Sequence, residues 1–256
     1  SGSDDMAYKK ILILKTGELP RLVTEHCGRY ERAFLNVLGE DRCVVVNARK
    51  EMFPEPDCAG IIVTGSAASA NDIDPWVAKS EDFLKRAVDQ SVPIYGICFG
   101  HQHVARTFGG RIEKNPHGWE LGTATVTLTE DGQRNELFVS MPESFSAQES
   151  HGEIVAELPP GAVTLARNDN CTHQAFSLGD RIWGTQFHPE FTPAIMERLI
   201  PALAAVLPSG SFPHWPSSER PLRDWLLKTV QNAPAAQRCL DNFVSIVAER
   251  LRVQVG

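Results

Sequence analysis

One stretch, Tyr95-Gly96-Ile97-Cys98-Phe99-Gly100-His101-Gln102, restricts what this chain can fold into more than any other. Before it lies Val92-Pro93-Ile94-Tyr95, a short apolar run of strand type. After it, His101 to Phe108 reads as a helix closed by Gly109-Gly110, a C-cap signal. Cys98 therefore stands at the apex of a sharp strand-to-helix turn. A side chain on such a turn leans over the carboxyl edge of a sheet, and the positions two residues to either side are crowded. Glycine suits both, and both are glycine, Gly96 and Gly100.

This is the geometry of a nucleophile elbow, G-x-S-x-G with sulfur replacing oxygen. The helix that follows aims its N-terminal amides and positive dipole end at Cys98, which favours a thiolate. The competing reading is a buried, inert cysteine, since cysteine is among the most buried residue types. The flanking glycines and the strand-to-helix context favour the reactive one.

The segments around the elbow supply the sheet it needs. Lys10-Ile11-Leu12-Ile13-Leu14, Cys43-Val44-Val45-Val46 and Gly60-Ile61-Ile62-Val63-Thr64 are compact apolar strands. Arg29 to Leu38 has helical spacing, with Tyr30, Phe34, Val37 and Leu38 on one face. Strand and helix in alternation imply a parallel sheet covered on both faces. Gly65-Ser66-Ala67-Ala68-Ser69 follows the third strand, at the edge where open parallel sheets gather ligands, and its unobstructed amides can turn toward a ligand oxygen. Asp74-Pro75-Trp76 starts a helix running to about Val88, with Asp as N-cap and Pro in the first turn.

Beyond the elbow helix the pattern becomes half-buried. In Thr123 to Thr129, Ala124, Val126 and Leu128 alternate with threonines, and short strands are expected at Ser144 to Gln148, Val163 to Arg167, Gln174 to Leu178 and Ile182 to Phe187. Turn chemistry separates them at Glu130-Asp131-Gly132, Pro159-Pro160-Gly161, Asn168-Asp169-Asn170 and Leu178-Gly179-Asp180. The expected fold is α/β: an open, mixed, mostly parallel sheet with helices on both faces and an antiparallel extension. Its last strand runs into His188-Pro189-Glu190. A cysteine nucleophile needs a base that takes its proton and returns it to the leaving group, and a carboxylate can orient that imidazole. Cys98, His188 and Glu190 can fill those roles.

Composition excludes other classes. A net charge of -7, with 25 Lys plus Arg scattered along 256 residues, gives no basic patch for nucleic acid or membrane. No apolar run approaches the ~20 residues of a membrane span, and no signal pattern opens the chain, so a cytoplasmic location is expected. Ser1-Gly2-Ser3 reads as an expression remnant, with the fold beginning near Met6. The six cysteines contain no C-x-x-C pair, and reduced thiols are expected. His101 and His103, two apart, fall on different sides of a helix, so neither a metal nor another cofactor is called for.

These residues resemble class I, triad-type glutamine amidotransferases, through G-x-C-x-G-H-Q at Gly96 to Gln102 and H-P-E at His188 to Glu190, over roughly residues 10 to 200. Within that family the chain looks most like stand-alone domains similar to the glutaminase part of GMP synthetase. It also looks like plant-type γ-glutamyl peptidases, which share the small-residue loop, the D-P-W helix start and the G-I-C-F-G-H-Q elbow. The resemblance implies a flavodoxin-like sheet with Cys98 as nucleophile, His188 as acid and base, and Glu190 as its orienting carboxylate. The amide of Phe99 and one from Gly65-Ser66 would form the oxyanion hole. Gln102 would touch the glutamyl substrate, the backbone of Ser150-His151-Gly152 would help hold its amino acid end, and Glu120 and His151 are candidate contacts.

Three functions are open on these grounds. The leading one is cleavage of glutamine, with ammonia passed to a separate synthetase, since no synthetase domain follows in the sequence. The second is a stand-alone γ-glutamyl peptidase or hydrolase. The third is a catalytically silent binding or regulatory subunit. The expected division is a domain over 6–207, a Pro/Ser-rich linker over 208–221 and a helical extension over 222–256. In that extension Leu240, Phe243, Val244, Val247 and Leu251 share a packing face. The face could pack on the core, on a synthetase or on a second copy, giving a homodimer.

Overall fold

Strands whose sequence is mostly apolar lie at the centre of the sheet, where both faces are covered. The computed structural model describes residues 9–50, 52–216 and 221–255, so Ser1-Gly2-Ser3, Met6 and part of the expected linker lie outside the described residues. Every residue is buried in β1 (Ile11–Lys15), β3 (Gly60–Val63), β4 (Ile94–Ile97) and β11 (Ile182–Thr185).

With β2 (Cys43–Asn47), these strands form the parallel half of a nine-stranded sheet in the order β2-β1-β3-β4-β11. An antiparallel half continues from β11 through β10 (Ala175–Leu178), β9 (Ala162–Arg167), β6 (Glu120–Leu128) and β7 (Ser144–His151).

Helices cover both faces. One side carries α2 (Tyr30–Leu38), α6 (Pro193–Ala204) and α8 (Pro234–Val255), with Phe34, Leu199 and Phe243 among their buried side chains. The other carries α3 (Pro75–Asp89) and α4 (Phe99–Thr107), through Phe83, Leu84, Phe99 and Val104. The face of α8 lies on the chain's own core. Cys239, Leu240 and Phe243 are fully buried there, and the Phe243 ring lies 5.5 Å from Tyr95 and 6.2 Å from Trp183.

Three elements carry no clear sequence signal. Helix α1 (Arg21–Cys27) spans under two turns with only Val23 buried, too short to show a period. Strands β5 (Arg111–Lys114) and β8 (Glu153–Glu157) pair as a separate hairpin, and β5 buries Ile112 alone. Glu130-Asp131-Gly132 is the first turn of a short helix, α5 (Glu130–Arg134), because the Thr129 hydroxyl caps it by accepting from the Gly132 amide at 3.0 Å. Asp74 precedes α3 as expected but its side chain makes no capping bond, which leaves Pro75 as the start signal. Helix α7 (Leu222–Leu227) completes the chain's elements, lying against α6 and β6.

Candidate active site

The turn between β4 and α4 closes so tightly that its backbone decides the sequence. Cys98 has φ 54° and ψ -108°, in the left-handed half of the map that a side chain enters only at a cost of about 1–3 kcal/mol. Its amide donates to Thr185 O on β11 at 2.8 Å, and its carbonyl accepts from Gln102 N at 3.1 Å in the first turn of α4. A β-carbon on Gly96 would stand 2.3 Å from Gly100 O, and one on Gly100 would stand 2.1 Å from Val63 O. The thiol is thus presented at the carboxyl edge of the sheet, at the N-terminus of α4.

His188 reaches the same edge from the adjoining strand. β11 pairs in parallel with β4, and just past its end the His188 amide donates to Gln148 O at 2.9 Å. The imidazole stacks on Phe191, with centroids 3.9 Å apart and planes 1° from parallel. Its Nδ1 faces Glu190 Oε1 at 2.7 Å. A β-carbon placed on Gly65 would stand 3.0 Å from His188 Cε1 and 3.7 Å from Cys98 Cβ, so ring and thiol flank the same glycine. Burial works against protonating His188, but the Glu190 carboxylate and the neighbouring Cys98 sulfur outweigh it and raise the imidazole to about 10. The thiol itself donates to Ser150 O at 3.6 Å, while the buried His188 Nε2 has no other partner. Ionised sulfur would instead accept a hydrogen bond from the protonated Nε2.

A residue with no motif around it completes this group. The Tyr30 hydroxyl donates to Glu190 Oε1 at 2.7 Å and accepts from the Gly65 amide at 3.1 Å. Burial, with the Glu190 carboxylate beside it, holds that phenol well above its usual range, so it stays a donor. The Gly65 amide is therefore spent on Tyr30 and does not face an oxyanion, which corrects the expectation for that residue. The amides of Ser66 and of Phe99, the latter in the first turn of α4 where no intrahelical acceptor exists, have no protein partner among the described residues.

Cys98 lies between two connected lobes. One, of about 490 Å³, is lined by Gln102, Lys114, Asn115, His151, Gly152 and Glu153. The other, of about 330 Å³, is lined by Leu19, Pro20, Phe191, Leu199 and Leu203, together with Tyr30 and His188. Ser66, Ala67, Trp119 and Ser150 border both. Pro208, Gly210 and Ser211 also line the first lobe, and Trp119 N donates to Ser211 O at 2.8 Å, so the start of the expected linker forms a wall of the cleft. In the same lobe the Gln102 side-chain amide, on α4, donates to Glu153 O at 2.8 Å and Gln186 Oε1 at 3.0 Å.

Glu120 lines neither lobe, which corrects its assignment as a substrate contact. Its carboxylate is turned inward, accepting from Asn168 Nδ2 at 2.6 Å, Gln174 Nε2 at 2.9 Å and His151 Nε2 at 2.8 Å. His151 Nδ1 donates to Glu153 O at 3.0 Å, so both ring nitrogens carry protons, and its pKa is raised well above the usual value because Glu120 and Glu149 outweigh burial. Glu120, Glu149 and His151 bring three ligand-type atoms within 4.8 Å of one another. With both Glu120 oxygens already bonded and His151 protonated at Nε2, the set is an internal ion cluster beneath Ser150. His101 and His103 are neutral core residues. Burial pushes both down to about 3, and His103 Nε2 meets Ser80 Oγ at 2.6 Å.

Glu149 is the strained member of the cluster. Fully buried, with His151 Nε2 3.3 Å from its Oε2, it is pushed up to about 7 by burial and by Glu120, against the opposing pull of His151 and His188. An acid raised on folding binds more protons in the native state, so stability falls as pH rises from the unfolded value of 4.5 through 7. Glu149→Gln should remove that slope. Between about pH 5 and pH 8 the parent is expected to lose roughly 2–3 kcal/mol more than the variant, on the order of 5 °C in Tm, measurable by parallel thermal melts.

The profile described as glutamine amidotransferase class-I matches residues 28–204. The chain belongs to the class I glutamine amidotransferase family. Relatives of this amidotransferase domain carry differing names. A glutamine amidotransferase-like protein of Schizosaccharomyces pombe is 33% identical over 157 residues, 60% of this chain and 61% of that protein. The chain thus spans less than two thirds of that relative's length. Gamma-glutamyl peptidase 3 of Arabidopsis thaliana is 27% identical, covering 68% of this chain and 73% of its own. A glutamine-hydrolyzing GMP synthase subunit from Pyrococcus abyssi is 34% identical over 52% of this chain and 66% of its own. Among solved structures, a glutamine amidotransferase of Thermotoga maritima superposes with a TM-score of 0.71 at 20% identity, over 95% of this chain and 98% of that one, a likeness of fold. No described helix is long and apolar enough to cross a membrane.

Proposed function

We propose that this chain hydrolyses a γ-glutamyl amide through a thioester on Cys98. The supporting observation is that an elbow cysteine and a His188–Glu190 pair from a distant part of the sequence flank the same glycine, with the only unpartnered His188 nitrogen available to the sulfur. The thiolate attacks the γ-carbonyl carbon, and the Ser66 and Phe99 amides stabilise the oxygen as it gains charge, worth ~3 kcal/mol each. The carbon–sulfur bond forms, the carbon–nitrogen bond breaks, and His188 Nε2 gives its proton to the departing nitrogen. Water then attacks the thioester while His188 Nε2 takes its proton, the carbon–sulfur bond breaks, and glutamate leaves with the Cys98 thiolate and the His188 imidazolium restored. Glu190, fixed by Tyr30, holds the ring throughout.

The polar lobe receives the amino acid end, along Gln102 and the Ser150–Gly152 backbone. Residues 6–207 form the catalytic unit in this reading, with Pro208, Gly210 and Ser211 of the 208–221 linker contributing a wall and the helix Pro234–Val255 of the 222–256 extension bracing the sheet. If glutamine is the substrate, the freed ammonia goes to a separate synthetase subunit, the arrangement that the name of the Pyrococcus relative suggests. The test is treatment with a glutamine-like chloroketone followed by mass spectrometry, alongside glutamate release from glutamine and from γ-glutamyl amides. Stoichiometric labelling at Cys98 and glutamate release are expected. An unlabelled Cys98 and no glutamate from any of these amides would refute the proposal and leave a silent binding subunit.

A further inference from the structure

The apolar lobe carries information about the leaving group, provided that the thioester reading holds. His188, the group that must protonate the departing nitrogen, lines this lobe and not the polar one, whereas Gln102, His151 and Gly152 line only the polar one. The departing nitrogen is therefore released toward Leu19, Pro20, Phe191, Leu199 and Leu203. At about 330 Å³ the lobe is roughly ten times the ~30 Å³ share of one water, far more than ammonia needs. Its floor is aliphatic and aromatic. Apart from His188 its sole ionisable lining residues are Tyr30, Cys98 and Glu18, and no lysine or arginine lines it among the described residues.

We infer that the preferred substrate is the γ-glutamyl amide of an apolar amine without a carboxylate. A γ-glutamyl peptide would place its leaving-group carboxylate in a lobe whose one cation, His188, is held by Glu190 and must give its Nε2 proton to the departing nitrogen; no lysine or arginine lines it, and Glu18 there is already paired with Lys15. A carboxylate stripped of water without a partner is strongly disfavoured. An alkyl amine instead gains from each methylene it buries. Atoms balance as in the thioester step above, with the amine replacing ammonia and water as the only co-reactant.

The test is a series in which only the leaving group changes: glutamine, then γ-glutamyl methyl-, ethyl-, propyl-, butyl- and 3-methylbutylamide, and γ-glutamyl-leucine, which is the 3-methylbutylamide plus a carboxylate. Expected is a rise in kcat/KM of about 3-fold per methylene through butyl, with γ-glutamyl-leucine at least 10-fold below the 3-methylbutylamide. In Leu203→Lys, the ratio of 3-methylbutylamide to γ-glutamyl-leucine should fall at least 10-fold. Glutamine as the best substrate, with rates declining along the series, would overturn the inference while the thioester reading stands, and would make the lobe an ammonia exit toward a second protein. γ-Glutamyl-leucine outrunning its decarboxylated partner would overturn it in favour of a peptidase. No turnover of any amide, glutamine included, would overturn both.

Discussion

Cys98→Ala is expected to lower γ-glutamyl hydrolysis by at least about 10⁴-fold while Tm moves by no more than a few degrees. The two readouts separate because the thiol does little for the fold. Its one hydrogen bond is the long contact of 3.6 Å to Ser150 O, and alanine keeps the β-carbon and with it the same positive-φ cost. The chemical loss is near total because no neighbour can replace the sulfur. Among the other cysteines Cys27 is 71 residues away in sequence on α1, beside Ala194 O, and Cys58, Cys171 and Cys239 are buried thiols held well above the usual range by desolvation. Residual activity within tenfold of the parent would remove Cys98 from the mechanism.

Gly100→Ala is expected to be the most damaging single-methyl change to the fold, costing about 3–5 kcal/mol and roughly 10 °C in Tm, or preventing soluble expression. The added carbon would meet Val63 O at 2.1 Å and Val63 C at 2.8 Å, both backbone atoms of a fully buried strand. Nothing there can rotate away, so α4 must lift from β3 and carry Cys98 with it. Gly39→Ala is the control: φ is 91° but nothing lies within 4 Å of the new carbon, so only the roughly 1 kcal/mol conformational cost applies. Similar losses in the two variants would show that the close approach of α4 to β3 has been misjudged. Activity in any soluble Gly100→Ala should fall further than its stability, because the elbow aims the nucleophile.

The elbow was readable because its constraint is local. Gly96, Cys98 and Gly100 lie within five residues, and the clashes that demand glycine arise within the turn itself and with the strand it crosses. The same holds for His188 and Glu190, two apart at a strand's end. Tyr30 was legible only as one apolar position on a helix face, since a hydroxyl bonded to Glu190, 160 residues away, leaves no local trace. Glu120 looked like a substrate contact for the opposite reason, although of Glu120 and His151 only His151 lines the cleft. The family resemblance implied substrate contacts near Ser150-His151-Gly152, and only the fold shows Glu120 and His151 facing each other across β6 and β7. The hairpin of β5 and β8 was silent because single buried residues make no pattern.

The sequence by itself determined the class of fold, the position of the strained cysteine and the histidine–carboxylate pair, since each follows from runs or spacings shorter than ten residues. The tertiary structure decided which groups meet. Placing β11 beside β4 brings His188 to Cys98, Tyr30 takes the Gly65 amide while the Ser66 amide has no protein partner among the described residues, and Leu19, Pro20, Phe191, Leu199 and Leu203 line the apolar lobe. Such long-range choices are made by burial summed over the whole sheet, which no short stretch of chain encodes.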